Sequence, residues 1–188
     1  MNTPQVTERD LWATPQAVVD AVWSVMGRAP YIDLACSPGN AKANYRITES
    51  VHDWRLPSGW DVDATYSEDR GLFGICPITA AELMDLHAWA WLNPPYSRGN
   101  LPRFTAWAAS FAQAGGTVAL CVPSSHSDSW WRKNVAPHAR MILQPDRRIQ
   151  FDPPAGVTPS SNSGQNAVVI MAHRRPWDGD TIVRRLEF

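Results

Sequence analysis

Cysteine is scarce in this chain, and spacings that bind metal are missing. The three cysteines, Cys36, Cys76 and Cys121, lie far apart and form no C-x-x-C pair. That excludes a disulfide framework and a zinc signature, and it fits reduced thiols. The five histidines form no H-x-x-x-H pair, so no metal is expected. No run approaches the roughly 20 apolar residues of a membrane span, and the N-terminus has no apolar signal region. Neither G-x-G-x-x-G nor G-K-[ST] occurs, which disfavours a dinucleotide or a nucleoside triphosphate. Excess charge is lacking too: a net charge of −1 is not that of a broadly basic nucleic-acid coat.

What is present is globular. A chain of 188 residues, 44% hydrophobic and 19% charged, can bury a core without staples and reads as one domain, 1–188. The near-neutral total hides an asymmetry. Residues 1–96 hold 6 Lys/Arg against 12 Asp/Glu, and residues 97–188 hold 11 against 6. Such a split marks a candidate polyanion-binding face in the second half. Ten tryptophans and sixteen prolines are the other excesses.

Periodicity places the elements. Thr14-Pro15 reads as a helix start, with Thr14 as N-cap, and Val18, Val19, Val22, Val25 and Met26 follow at helical spacing before Gly27. Tyr31 to Cys36 predicts a short buried strand, running into the turn Ser37-Pro38-Gly39-Asn40 and a helix opening at Ala41-Lys42-Ala43. Ile78 to His87 predicts a helix, Ala88 to Leu92 a strand, Pro102 to Ala114 a helix and Thr117 to Val122 a strand. Trp130 to Val135 reads as a short helix. Ile142-Leu143, Ile149-Phe151 and Ala167 to Met171 are strand candidates. Residues 47–77 have no sustained period, and Asp152 to Gln165 reads as a loop. Both are taken as insertions within the domain. Strands alternating with helices imply an α/β fold with a mostly parallel sheet. Trp23, Trp89, Trp91 and Trp107 sit in apolar segments and are expected in the core. Trp12 and Trp130-Trp131 lie beside motifs, as candidates to wall a site or stack on bases.

Two segments have the form of ligand sites at strand ends. In the first, Asp33 to Asn40, a strand delivers a turn of small residues whose amides can approach a ligand closely. A ligand with a carboxylate and an adenosine fits it better than a phosphate does. The second, Asn93-Pro94-Pro95-Tyr96, follows the strand ending at Leu92. Two prolines stiffen the backbone and remove two donors, Asn93 adds a side-chain acceptor, and Tyr96 offers a flat face. Together they describe a socket for a planar ring bearing an exocyclic amine.

These segments and others, in order, resemble the phage-type DNA N-6-adenine methyltransferases, a Dam-like family that depends on S-adenosylmethionine. Asp10 to Gln16 is similar to its D-x-W-x-T-P opening. Asp33 to Lys42 is similar to its D-x-x-A-S-P-x-N-A-K segment, and Trp91 to Ser97 to its catalytic motif. Val122-Pro123 with Trp130-Trp131, and Arg148 to Phe151, resemble two later stretches, although Arg147 stands where the family has glycine. The resemblance implies a Rossmann-like methyltransferase fold, with helices on both faces of the sheet and an antiparallel strand near the C-terminus. It implies that Thr14, Pro15, Asp33, Ala35, Cys36, Ser37 and Asn40 hold S-adenosylmethionine. An acidic residue, Asp69 or alternatively Asp53 or Glu68, would bind its ribose or adenine. The departure from the family's pattern lies in the longer stretch from Glu49 to Leu86.

The implied chemistry needs no metal and no covalent nucleophile. The lone pair of an adenine 6-amino group is delocalised into the ring. If Asn93 and the Pro94 carbonyl accept its two N–H bonds, the lone pair is freed to attack the sulfonium methyl in line. Pro95 would stiffen this socket and Tyr96 would stack on a base flipped out of the duplex. DNA is the expected partner. The basic residues after the motif, Arg98, Arg103, Arg132, Lys133, Arg140, Arg147 and Arg148, are candidates for a phosphate track, with Ser124, Trp12 and Trp131 as further contacts. Cytosine N4, RNA adenine or protein glutamine as acceptor, or a non-catalytic nucleic-acid-binding module of the same fold, are the alternatives. The expected location is the cytoplasm of a bacterium or phage-infected host.

Overall fold

A computed structural model of the chain describes residues 12–36, 40–43, 45–48, 87–97, 99–157, 165–173 and 179–188. Helix α1 spans Gln16–Met26 and is followed by strands β1 (Ile32–Cys36), β2 (Tyr45–Thr48) and β3 (Ala90–Leu92). Helix α2 (Asn100–Gln113), strand β4 (Val118–Pro123), a π-helical turn (Trp131–Val135) and a 3-10 turn (Ala136–His138) come next. Strands β5 (Ala139–Pro145), β6 (Asn166–Met171) and β7 (Ile182–Leu186) complete the described elements.

The strands form one seven-stranded sheet in the order β2-β1-β3-β4-β6-β5-β7. Every neighbouring pair is parallel except the two that β6 makes with β4 and β5. The expected antiparallel strand near the C-terminus is therefore β6.

Side-chain alternation explains why both faces are covered. On β3, Ala90 and Leu92 join one core cluster, while Trp91, with Trp89 just before the strand, joins the other. On β4, Val118, Leu120 and Val122 face the first, and Ala119 and Cys121 the second. Helix α2 buries Leu101, Phe104, Trp107 and Phe111 in the first cluster. Helix α1 buries Val18, Val19 and Val22 in the second. A sheet apolar on both faces needs such a helix on each side. Trp89 adds a polar tie, donating from Nε1 to the Arg28 carbonyl at 2.9 Å.

Several expectations are corrected. Pro15, not Thr14, caps α1, and no side chain bonds the helix end. No helix opens at Ala41: the chain bends there and enters β2, a strand the sequence reading does not predict. Ile149-Phe151 is not a strand, because only Asp152 pairs, in one isolated bridge to Ala13. The strand ending at Met171 is not the last, since β7 follows and pairs with β5. Trp23 is 46% exposed, lying just beyond the apolar stripe of α1 rather than in the core. The helix expected over 78–87 lies outside the described residues apart from His87, which sits in a turn. Cys76, Trp54, Trp60 and Trp177 also fall outside them.

Strand order fixes where a ligand can sit. The chain steps from β1 outward to β2, then returns to the other side of β1 with β3. Connections that leave a switch point in opposite directions are where such sheets open a crevice beyond the strands' carboxyl ends. The ends of β1 at Cys36 and of β3 before Asn93 both lie there. The carboxyl ends of β4, β5 and β7 lie along the same edge, as does the start of β6.

Candidate active site

The connection after β1 is tied by one carboxylate. Asp33 is 2% exposed. Its Oδ1 accepts from the Ala35 N–H at 3.2 Å and its Oδ2 from the Lys42 N–H at 2.9 Å. The two bonds bracket the turn, tying its entry and exit to one side chain. Burial pushes the Asp33 carboxyl up to about 6, against the opposing pull of both amides and the Lys42 charge. Cys36 is a buried thiol at the end of β1, and Ala35, Asn40 and Lys42 are half-buried around it. Ser37, Asp53, Glu68, Asp69 and Arg98 lie outside the described residues.

The Trp12 to Pro15 strap reaches the same edge by pairing. Ala13 and Asp152 exchange backbone hydrogen bonds at 2.9 and 2.8 Å, which sets the strap beside Phe151. Thr14 is 2% exposed, and among the described residues neither its Oγ1 nor the indole Nε1–H of half-buried Trp12 has a hydrogen-bond partner. A buried hydroxyl left unpaired costs about 1–3 kcal/mol. Two such atoms on one strap fit a site built for a polar ligand. Exchanging Thr14 for the near-isosteric valine removes that penalty. The variant Thr14→Val is expected to melt no lower than the parent without ligand and, where the strap holds the S-adenosylmethionine that the sequence resemblance implies, to bind it about tenfold more weakly. Calorimetric titration beside a thermal melt checks both halves.

The Asn93 to Tyr96 segment leaves β3 with Pro94 and Pro95 buried and Asn93 and Tyr96 half-buried. The Tyr96 ring packs edge-on against Phe151, with centroids 6.0 Å apart and planes at 87°. Its hydroxyl turns inward to the sheet. It lies 2.9 Å from Asn93 Oδ1 and 3.0 Å from the Cys121 carbonyl, both acceptors, and accepts from Asn166 Nδ2 at 3.1 Å. Burial holds the Tyr96 phenol well above its ordinary range, so it stays protonated and donates. The Cys121 thiol, 3.7 Å from the hydroxyl, is pushed up to about 12 by burial and stays neutral. An amide oxygen accepts two hydrogen bonds. With Tyr96 at one of these positions on Asn93, a second is left for an incoming N–H.

Sequence reading misses Asn166 and Cys121. A signal for Asn166 is present: an amide, next to Gln165, at the head of the apolar run Ala167 to Met171. Nothing marks Cys121, which reads as one more small apolar residue of β4.

The expected nucleic-acid contacts separate into two groups. Arg147 and Arg148 are exposed on the connection leaving β5, and Arg132 and Lys133 are exposed on the π-helical turn. The Arg147 guanidinium lies 4.7 Å above the Phe188 ring. Ser124 is exposed, and its N–H donates to the Gln165 carbonyl at 2.9 Å. Trp131, by contrast, is 4% exposed and packs in the core. Its ring meets Trp130 edge-on and carries the His126 ring at 4.6 Å. It is a floor for the loop after β4 rather than an open stacking platform.

A doubly wound sheet with its reversed strand beside β4, and the Asn93 to Tyr96 segment at its switch point, are those of a Rossmann-like methyltransferase fold. A family model for DNA N-6-adenine-methyltransferase (Dam) matches residues 83–185, more than half the chain. The chain belongs to that family. The match spans the Asn93 to Tyr96 socket and Asn166, while the Thr14 strap and the Asp33 turn lie before it. No curated protein matches the chain. Among the described residues, no helix is long and apolar enough to cross a membrane. No group of three or more His, Cys, Asp or Glu side chains is gathered there to hold a metal.

Proposed function

We propose that this protein is a DNA adenine methyltransferase that transfers a methyl group from S-adenosylmethionine to the 6-amino group of a flipped-out adenine. The observation that carries the reading is the Asn93 amide, set at the switch point with its oxygen bonded by the Tyr96 hydroxyl at 2.9 Å. When bound, S-adenosylmethionine supplies an electrophilic methyl on a sulfonium. The unpaired Thr14 hydroxyl, the Trp12 indole N–H and the Asp33-bracketed turn suit its amino-acid end, beside Pro15, Ala35, Cys36, Ser37 and Asn40. An acidic residue among Asp53, Glu68 and Asp69 would take its ribose or adenine.

The protein's own residues then do the rest. Asn93 Oδ1 and the Pro94 carbonyl accept the two amine hydrogens and hold the nitrogen towards a tetrahedral shape. Pro95 keeps that backbone stiff. Delocalisation into the ring is lost and the lone pair is directed at the methyl carbon. Transfer would form the nitrogen–carbon bond and break the sulfur–carbon bond, and the proton lost from the nitrogen would pass to solvent. The gain comes from orientation and fixed dipoles. The half-buried Tyr96 ring would stack on the base, with Phe151 packed against it at near right angles. A base within a duplex cannot reach such a socket, so flipping out or a single-stranded substrate is required.

The exposed Arg132, Lys133, Arg147 and Arg148, with Arg98 and Ser124, form the proposed phosphate track. Residues 1–188 act as one catalytic domain, and its loops read the target within the cytoplasm. Methyl transfer from labelled S-adenosylmethionine, offered DNA, RNA and protein together, tests the reading. Label in DNA is expected, and label in protein alone would sink the proposal.

A further inference from the structure

One hydroxyl joins three elements in this site. Tyr96 comes from the segment after β3, the Cys121 carbonyl from β4, and Asn166 from the first position of β6. A phenol carries one proton, yet the Tyr96 oxygen faces two acceptors, Asn93 Oδ1 at 2.9 Å and the Cys121 carbonyl at 3.0 Å. Its lone pairs face a donor, Asn166 Nδ2, at 3.1 Å. The polarity of this chain of bonds decides whether Asn93 is held with its oxygen or its NH2 towards Tyr96.

We propose that Asn166 is a positioning residue for methyl transfer. By donating to the Tyr96 oxygen, it takes up the lone pair that an Asn93 NH2 would otherwise seek, leaves the phenolic proton to Asn93 Oδ1 and the Cys121 carbonyl, and so favours the Asn93 amide in its accepting orientation. The inference rests on the reading of Asn93 as the group that accepts the substrate amine. Asn166 touches no substrate itself. It is 9% exposed and sits opposite Pro123, where β4 ends. From Ala167 to Met171 the register of β6 against β4 runs without interruption, so the amide side chain is not needed for the pairing. A donor at this point has a use only in the bond it makes. An acceptor there would reverse the chain, drawing the phenolic proton away from Asn93 and letting the amide turn.

The test uses the full-length enzyme and four variants: Asn166→Ala, Asn166→Asp, Tyr96→Phe, and Asn166→Ala combined with Tyr96→Phe. Asn166→Ala is expected to lower kcat about tenfold or more. Its KM for DNA and its affinity for S-adenosylmethionine should stay within about twofold. In the Tyr96→Phe background the same change should cost nothing further, because the hydroxyl through which it acts is gone. Asn166→Asp is nearly isosteric and keeps the fold. Ionised, the introduced carboxylate can only accept, and protonated it can donate again. Its kcat should therefore rise as pH falls, relative to the wild type at each pH. A purely packing role for Asn166 predicts the opposite pattern: losses that add to Tyr96→Phe and a pH profile parallel to the wild type. That pattern, or wild-type kcat in Asn166→Ala and Asn166→Asp, would overturn the proposal while leaving the proposed function intact. A folded wild-type protein that methylates no DNA would overturn both.

Discussion

Replacing Asn93 with alanine is expected to lower kcat by on the order of a thousandfold while S-adenosylmethionine binds within about twofold of the parent. Removing one preorganised hydrogen-bonding group at a reacting centre costs about 10²–10³ in rate. Here the lost group also holds the amine out of conjugation with its ring. Asn93 lies at the end of a different strand from Asp33, so the cofactor side should be unaffected. The variant also strips Tyr96 of one acceptor, but the Cys121 carbonyl at 3.0 Å takes the phenolic proton, so no buried donor is orphaned. Single-turnover transfer checks the chemical step, and titration calorimetry checks binding. Equal losses in both would mean that Asn93 is only a structural member of the crevice wall.

The second large effect belongs to Asp33. Only its carboxylate accepts both the Ala35 and Lys42 amides. The side-chain amide introduced by Asp33→Asn would turn an NH2 group against one of those donors and release one end of the turn. Affinity for S-adenosylmethionine should fall about tenfold or more. The wild type should itself bind more weakly as pH drops below about 6, where the Asp33 carboxyl takes up its proton, and Asp33→Asn should lack that dependence. Stability runs the other way. The folded carboxyl titrates near 6 instead of its ordinary 3.8, so the folded state binds the proton more tightly than the unfolded one. Asp33's contribution is full below pH 3.8 and is lost as pH rises through about 6. The span amounts to roughly 3 kcal/mol. Melting curves from about pH 4 to 7 should show the wild type losing stability relative to Asp33→Asn across that window.

The parts legible in the sequence are those where one physical signal dominates. Helix α2 and strands β3, β4 and β6 carry apolar patterns bounded by Gly, Pro or Asn. Their placement follows from burial on two faces of a sheet. The parts that escape depend on pairing. Ile149-Phe151 has strand composition, but its neighbours go elsewhere and only Asp152 finds a partner. Strand β7 is mostly exposed, with Ile182 and Val183 at 54% and 57%, so its sequence carries no burial pattern. It exists because β5 offers it an edge. Thr14 reads as a helix cap because Thr-Pro is a good start signal, yet Pro15 occupies the cap and the hydroxyl is left unspent.

The site divides in the same way. Asn93 to Tyr96 is readable because its composition is unusual and it ends a strand. The inward turn of the Tyr96 hydroxyl is not, because it depends on a carbonyl from β4 and an amide from β6. Those partners stand 25 and 70 residues away in the chain. Trp131 shows the converse error, where a tryptophan beside a motif belongs to the packing beneath it.

The most direct measurement is the identity of the methylated nucleoside. Purified wild-type protein is incubated with DNA and S-adenosylmethionine, the DNA is digested, and its nucleosides are separated and weighed. The account predicts N6-methyldeoxyadenosine as the methylated product, absent when Asn93→Ala replaces the wild type. Methylation confined to cytosine, or none from a folded protein that binds the cofactor, would contradict it.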